Sequence, residues 1–413
     1  MENERKKNMT NKKYLPSVIV LYLNYFLHGI GCSVLGQAVI KDALAASWNV
    51  EAMAITAIAA ALGLGRLIAL PFAGPLSDKL GRRVSTAIGG FSYAVYLIGL
   101  AMAFNAGGGA GYRIAYICAI IGGIANSFLD TGIYPAVAEI INKAPGVATM
   151  GIKFAISGSQ FLLPFFLGIT VGQTATGMVS YNTLFYAVGI CYLVLMALIL
   201  FFPLPDTDKK AEEKKEGLLQ SIKHANFSAG SIAMILIGFT CTGTFQLWLN
   251  CAQNFANDVV GWAEPQVMQS FYAIGTMIGL VVTALLTSKV KDVRFILIYP
   301  VICLVTLIAV LMVPSQGMCK IGAFLIGWAG AGGLLQIATS VCNMLFPKIK
   351  GTVTALVMIA SSLCNYTILT AAAQMTPSGV MTMNIVLTAI GVLLGLFVNK
   401  NYAKMLEAAE ADA

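Results

Sequence analysis

Asp130 stands in the middle of GGIANSFLDTGIYPAV, residues 122–137, within a run apolar enough to exclude water. A carboxylate at that depth costs about 2.5–3.5 kcal/mol on membrane-insertion scales, and its neutral form is favoured unless a cation lies near. A group that takes up and releases a proton as its access to water changes is what proton-coupled chemistry needs. The other ionisable candidates in apolar runs are Arg66, Lys153 and His28. Arg66 stays charged and needs an anion, either Asp130 or a substrate carboxylate. Lys153 has Glu139 as its expected structural partner; if both cations instead reach a cavity, they favour an anionic ligand. His28 is either a proton relay or substrate ligand, or a neutral hydrogen-bonded side chain.

Amides accompany these groups at helical spacing. Gln246, Asn250, Gln253 and Asn254 fall on one helix face, Gln336, Ser340 and Asn343 on another, and Asn126, Asp130 and Tyr134 on a third. Asn24 lies one turn before His28. Such stripes serve either as hydrogen-bonding glue between helices or as the lining of a wet cavity, where they bind substrate. Tyr134, Trp248, Tyr272, Trp328 and Tyr366 offer flat walls for a ring, although aromatic residues also pack or anchor membrane helices. No phosphate-binding G-x-x-x-x-G-K-[ST] loop and no nucleophile, base and orienter set is present, so an enzyme is not expected and energy must come from an ion gradient. The nine cysteines are scattered without metal-ligand spacing, so neither a metal, a cofactor nor a disulfide framework is expected.

The elements that position these residues follow from composition. The 413-residue chain is 58% hydrophobic and 11% charged, with a mean hydropathy of +0.80. Runs long enough to cross a hydrocarbon core of about 30 Å occur twelve times. They are expected at 14–38, 50–75, 84–105, 113–141, 148–172, 181–203, 228–255, 265–288, 294–314, 319–346, 351–374 and 379–399. The net charge of +8 does not signal nucleic acid: 21 of the 26 Lys and Arg fall on the cytoplasmic side when both termini are placed there. Lys41, Arg113 and Lys320 then lie outside.

The polar segment PDTDKKAEEKKEGLLQSIKHANFS, 205–228, divides the spans six and six. The expected domains are a bundle at 1–203, a cytoplasmic linker at 204–227 and a second bundle at 228–413. Polar residues concentrate in spans 1, 4, 7 and 10, whereas 3, 6, 9 and 12 carry none of the mid-span charges and can face lipid. A three-helix period of this kind points to four helices around a water-accessible cavity between two repeats.

GPLSDKLGRR, Gly74 to Arg83, follows span 2 and resembles the G-x-L-x-D-[RK]-x-G-[RK]-[RK] signature of the major facilitator superfamily. Gly74 and Gly81 suit a tight turn, and Asp78, Arg82 and Arg83 suit charge pairing that latches one conformational state. NYFLHGIG (24–31), GLGRLIALPFAGPLSDKLGRR, GIANSFLDTGIYPAV and IGWAGAGGLLQIATSVCNMLFPKIKG (326–351) resemble the bacterial inner-membrane permeases of the YdiN and YdiM type. LDTGIYP is also similar to the helix-4 L-E-T-x-x-x-P of fucose permease-like proton symporters, which puts Asp130 on the coupling acid. The helix-1 aspartate of that group is missing; Asn24 and His28 occupy the region.

The resemblance implies an all-α fold of twelve transmembrane helices in two pseudo-symmetric six-helix bundles, monomeric, in the inner membrane. It implies alternating access, and its link to hydroaromatic acids points to hydroxylated carboxylates of the shikimate or quinate type. The leading expectation is proton-coupled uptake of such an acid, with Asp130 and His28 handling the proton. Arg66, Lys153 and the residues Asn24, Asn126, Tyr134, Gln246, Asn250, Gln253, Asn254, Gln336 and Asn343 would then bind substrate. Sugar or polyol symport is the first alternative. Drug efflux is the second, although helix 5 lacks G-x-x-x-G-P.

Overall fold

The computed structural model describes residues 13–141, 145–175, 181–204, 229–346 and 350–411, and every regular element among them is helical. Among the described residues, twelve helices are long and apolar enough to cross a membrane. Spans 1 to 6 are Leu15–Gly36, Ala52–Leu80, Arg82–Ala106, Gly108–Ile140, Gly146–Ile169 and Tyr181–Phe201. Spans 7 to 12 are Ile232–Asp258, Val267–Leu286, Asp292–Met312, Gln316–Leu345, Val353–Ala372 and Pro377–Glu407. Large apolar side chains such as Phe91, Phe201, Val305 and Leu393, on spans 3, 6, 9 and 12, point outward. In water such a surface would be an aggregation liability; against lipid it is solvation.

Helix boundaries depart from the apolar runs at three places. A short helix, Ala38–Trp48, follows span 1 where no helix was expected. Span 2 continues through Pro71 and Pro75 to Leu80, so the first seven residues of GPLSDKLGRR are helical rather than a turn. Gly81 alone makes the break, at φ +93°, a conformation that side chains with a Cβ resist. Gly74 lies within the helix with open space beside it. Span 10 is interrupted by a π-helical stretch, Ile326–Ala331, and by Gly333 at φ +150°.

The chain forms two compact units. The first contains Met1–Val34, Ala43–Val50 and Leu64–Glu213, and the second Leu35–Asp42, Glu51–Gly63 and Lys214–Ala413. Nearly all of the linker expected at 204–227 lies outside the described residues.

Within the first unit, small residues let helices meet closely. A Cβ at Gly65 would fall 1.9 Å from the Ile120 carbonyl oxygen, so spans 2 and 4 touch backbone to backbone there. That contact brings the residue after Gly65 against the polar face of span 4. Tyr192 of span 6 donates to the Asn24 carbonyl at 2.8 Å, so span 6 has a polar inner edge as well as a lipid face. In the second unit, Asn384 of span 12 is fully buried and donates to the Thr244 carbonyl at 3.1 Å. The core around it is built from Ile237, Trp248, Phe255, Tyr299 and Ile326, among others.

Candidate functional site

In the first unit, spans 1, 2 and 4 place three side chains on one another. Asp130 Oδ2 accepts from Arg66 Nη2 at 2.6 Å, and Asp130 Oδ1 accepts from the Tyr25 hydroxyl at 2.5 Å. Both carboxylate oxygens are therefore occupied. The ion pair is about three-quarters buried, with side-chain exposures of 28% and 29%. Charge-assisted bonds this short are the strong class, and they hold the carboxylate in one orientation. The Tyr25 ring packs edge-on to Tyr134, 5.4 Å between centroids, and against His28 at 5.3 Å.

Lys153 of span 5 and His28 lie close enough to Asp130 and Arg66 for their charges to act on both. No hydrogen bond or ion pair of Lys153 is recorded among the described residues. Glu139, its expected partner, instead receives Arg82 Nε at 3.4 Å. The cause is geometric: Glu139 stands at the end of span 4 beside the Gly81 turn, where Arg82 opens span 3. Three buried polar atoms near this region have no protein partner, namely Asn24 Oδ1, His28 Nδ1 and Asn126 Oδ1. Asn24 Nδ2 is used on its own helix, donating to Val20 O at 2.8 Å.

At the end of span 2, Arg82 gathers the signature loop. Its Nη1 donates to Asp78 Oδ1 at 2.9 Å and to Ser77 Oγ at 3.1 Å. Arg83 Nη2 donates to the Phe202 carbonyl at 3.0 Å. Asp78 is nearly half-exposed, and the N-terminus of span 3 receives no side-chain cap.

The amides of span 7 are engaged in a way the sequence did not indicate. Lys41, expected outside and solvated, is fully buried. Its ammonium donates to Thr56 Oγ1 at 2.8 Å, Asn254 Oδ1 at 3.0 Å and the Asn250 carbonyl at 2.5 Å. Burial pushes this lysine below its usual range, opposed by Cys251, Asp42 and Asp258; burial and Asp258 in turn push Asp42 up. Gln253 Nε2 donates to Gln37 Oε1 at 3.0 Å, and Gln253 Oε1 accepts from the Ala38 amide at 3.1 Å. Asn250 Nδ2 donates to Gln246 Oε1 at 3.0 Å, leaving Asn250 Oδ1 buried without a partner.

The span-10 residues do not share a partner. Gln336 is exposed, Ser340 donates to Asp292 Oδ2 at 3.4 Å, and Asn343 Oδ1 accepts from Thr354 at 3.0 Å. Of the aromatic candidates, Trp248 and Tyr272 are buried in packing, and the Trp328 indole nitrogen is buried beside the Tyr299 hydroxyl. Sequence reasoning missed Tyr25, Gln37 and Thr56. Tyr25 carries the one available signal, since it lies three residues before His28 and so shares its helix face.

Twelve apolar helices with a buried ion pair and helical faces of amides are the anatomy of a membrane transporter. The chain belongs to the Major Facilitator Superfamily, which it matches over residues 21–365. It is 31% identical over 394 residues to the inner membrane transport protein YdiM of Escherichia coli (strain K12), covering 93% of this chain and 94% of that one. It is 30% identical over 398 residues to YfkL of Bacillus subtilis (strain 168), an uncharacterized MFS-type transporter, covering 93% and 96%. Among solved structures, a D-xylose-proton symporter superposes with a TM-score of 0.72 at 17% identity, covering 93% of this chain and 96% of that one. That likeness speaks for the fold.

Proposed function

We propose that the protein takes up a small hydroxylated organic acid, of the shikimate or quinate type, together with a proton by alternating access. The observation that carries this reading is the unequal partnering of two half-buried cations. Arg66 is bound to Asp130, whereas Lys153 lies in the same electrostatic neighbourhood with no recorded partner of its own. Lys153 is then the anchor for a substrate carboxylate. Asn24 Oδ1 and Asn126 Oδ1 are acceptors for its hydroxyls, since buried acceptors in folded proteins find a partner. Asp130 carries the proton, with His28 beside it, and Arg66 holds Asp130 when the proton has left.

Tyr134 supplies a wall. Gln246, Asn250, Gln253, Asn254, Gln336 and Asn343 of the second half contribute as spans 7 and 10 rearrange. Gly74, Asp78, Gly81, Arg82 and Arg83 latch the state in which the signature loop is closed. The protein sits in the inner membrane as a monomer with both termini cytoplasmic, and residues 1–203 and 228–413 are the two moving bundles. Proton coupling is favoured over sodium because the oxygens of Asp130 are taken by Arg66 and Tyr25 and no second carboxylate pairs with Arg66 among the described residues, whereas sodium sites gather several oxygens.

Sugar or polyol symport is the second reading. It is favoured by the fold shared with a D-xylose-proton symporter and by the same unpaired amide oxygens. Uptake of radiolabelled shikimate, quinate, hexoses and amino acids into proteoliposomes under a pH gradient separates the two. Acid uptake that follows the gradient is expected; uptake of none, or uptake indifferent to the gradient, would sink the proposal.

A further inference from the structure

Lys41 is buried as fully as any side chain in the protein, and proton-coupled uptake through Asp130 leaves it without a task. An ammonium has three donors, and three neutral oxygens, from Thr56, Asn250 and Asn254, take all of them. No carboxylate is within ion-pair distance of Lys41 among the described residues. The hydrogen bonds continue through the preceding residues: Gln37 Nε2 donates to Gln269 Oε1 at 3.2 Å, and Gln253 grips both Gln37 and the Ala38 amide. Gly36 lies so close to span 7 that a Cβ would fall 2.2 Å from the Leu249 carbonyl oxygen. Residues 36–41 are thereby sewn to spans 2, 7 and 8. All of these residues fall in the second unit, although span 1 up to Val34 falls in the first.

We infer that Lys41 is the bolt of an outer clasp, which fastens the far end of span 1 to span 7 and must release for substrate to enter from outside. This rests on the alternating-access reading, with residues 37–51 on the outer side. The choice of neutral oxygens fits a fastening that opens. A carboxylate in the cage would bind the ammonium by full charge and make separation costly, whereas water replaces neutral acceptors with little net loss. A lysine placed only for stability gains nothing from a buried site without a counter-ion, where an apolar side chain would serve better.

Hydrogen exchange read by mass spectrometry on the full-length protein in lipid nanodiscs tests this. Thr56→Val removes one oxygen while keeping the side chain's shape, so the test does not depend on Lys41→Met folding. Its expected effect is about five-fold faster exchange at residues 35–42 and 250–258, the shift given by one hydrogen bond of ordinary strength. Slower exchange should appear at residues 78–83, because opening one side closes the other. Asn254→Asp places a carboxylate in the cage and should give the reverse at both ends. Faster exchange at both ends in Thr56→Val, or no change at 35–42 in either variant, overturns the clasp. Because exchange is read without substrate, failure of every acid in the uptake panel would remove the substrate assignment and leave the clasp standing.

Discussion

Replacing Asp130 by Asn keeps the side chain's shape and removes the charge that Arg66 and Tyr25 hold. If one proton accompanies a singly charged acid, the transported unit is neutral. Membrane voltage then does no work, and only the pH difference drives accumulation. One pH unit is worth about 1.4 kcal/mol, so the wild-type protein should concentrate the acid about tenfold per unit. A neutral polyol with one proton would also draw on voltage, at about 2.3 kcal/mol or roughly fifty-fold per 100 mV. Clamping the voltage at zero with potassium and valinomycin separates the two cases. Asp130→Asn should reduce accumulation to about onefold at zero voltage, with no pH dependence. Exchange of internal for external substrate should persist, because Lys153 is untouched. Arg66 loses a charge-assisted partner in a site about a quarter exposed, which lowers stability by roughly 1.5–3 kcal/mol, so thermal unfolding in detergent must confirm that the variant is folded. A folded Asp130→Asn variant that still reaches about tenfold accumulation at one pH unit would refute the assignment of the proton to Asp130.

Two further substitutions separate anchoring from architecture. Lys153→Met should raise the KM for the acid roughly ten- to hundredfold, as expected for losing a hydrogen bond to a charged group, with little change in thermal stability. An unchanged KM would move the carboxylate anchor elsewhere. Gly65→Ala forces a methyl group to within 1.9 Å of the Ile120 carbonyl oxygen, so spans 2 and 4 must part and carry Arg66 away from Asp130. Uptake and exchange should both fall, with a stability loss of roughly 1–3 kcal/mol; a variant with normal melting and normal exchange would show that the helix contact does not position the pair.

Much of this arrangement is legible in the sequence because the membrane imposes a strict pattern. A span must be apolar over about 20 residues, so each exception is conspicuous, and Asp130, Arg66 and Lys153 identify themselves by being where charge is expensive. The sequence leaves Arg66 a choice between Asp130 and a substrate carboxylate, and the structure shows it on Asp130. What the pattern does not reveal is how polar side chains are shared at the ends of spans. Lys41 sits in a stretch between two apolar runs, where a solvated lysine is the ordinary outcome. Its burial depends on Asn250 and Asn254, some two hundred positions away, facing a loop that sequence alone treats as surface. Glu139, expected beside Lys153, is missed for a related reason: its side chain is claimed by Arg82, which the Gly81 turn delivers to it. Tyr25 escaped notice because an aromatic residue in a membrane helix attracts no suspicion until its hydroxyl is seen on a carboxylate.

Arg66, Lys153 and Lys41 differ in their surroundings, and on the proposed reading they divide the work between them. Arg66 cannot give up its charge, so it is matched with a carboxylate and the pair is neutral; in the proposed cycle a proton on Asp130 would uncover the guanidinium and favour an anion nearby. Lys153, with no ion pair among the described residues, would supply standing attraction for that anion. On the proposed reading, protonation of Asp130 and binding of an acid favour each other through charge alone, which is the thermodynamic content of symport: each ligand raises the affinity for the other by the same factor. Lys41 is held by neutral oxygens only and takes no part in this charge balance. Its cage adds a fixed bias to one conformation whatever the load. If coupling and gating reside in separable chemistry as proposed, Asp130→Asn should abolish accumulation without altering exchange of amide hydrogens at residues 35–42, and Thr56→Val should alter that exchange while leaving accumulation at equilibrium unchanged. A clasp variant that lowered the equilibrium accumulation ratio would contradict this division, because a gate changes how fast a gradient is reached and the proton stoichiometry decides how steep it becomes.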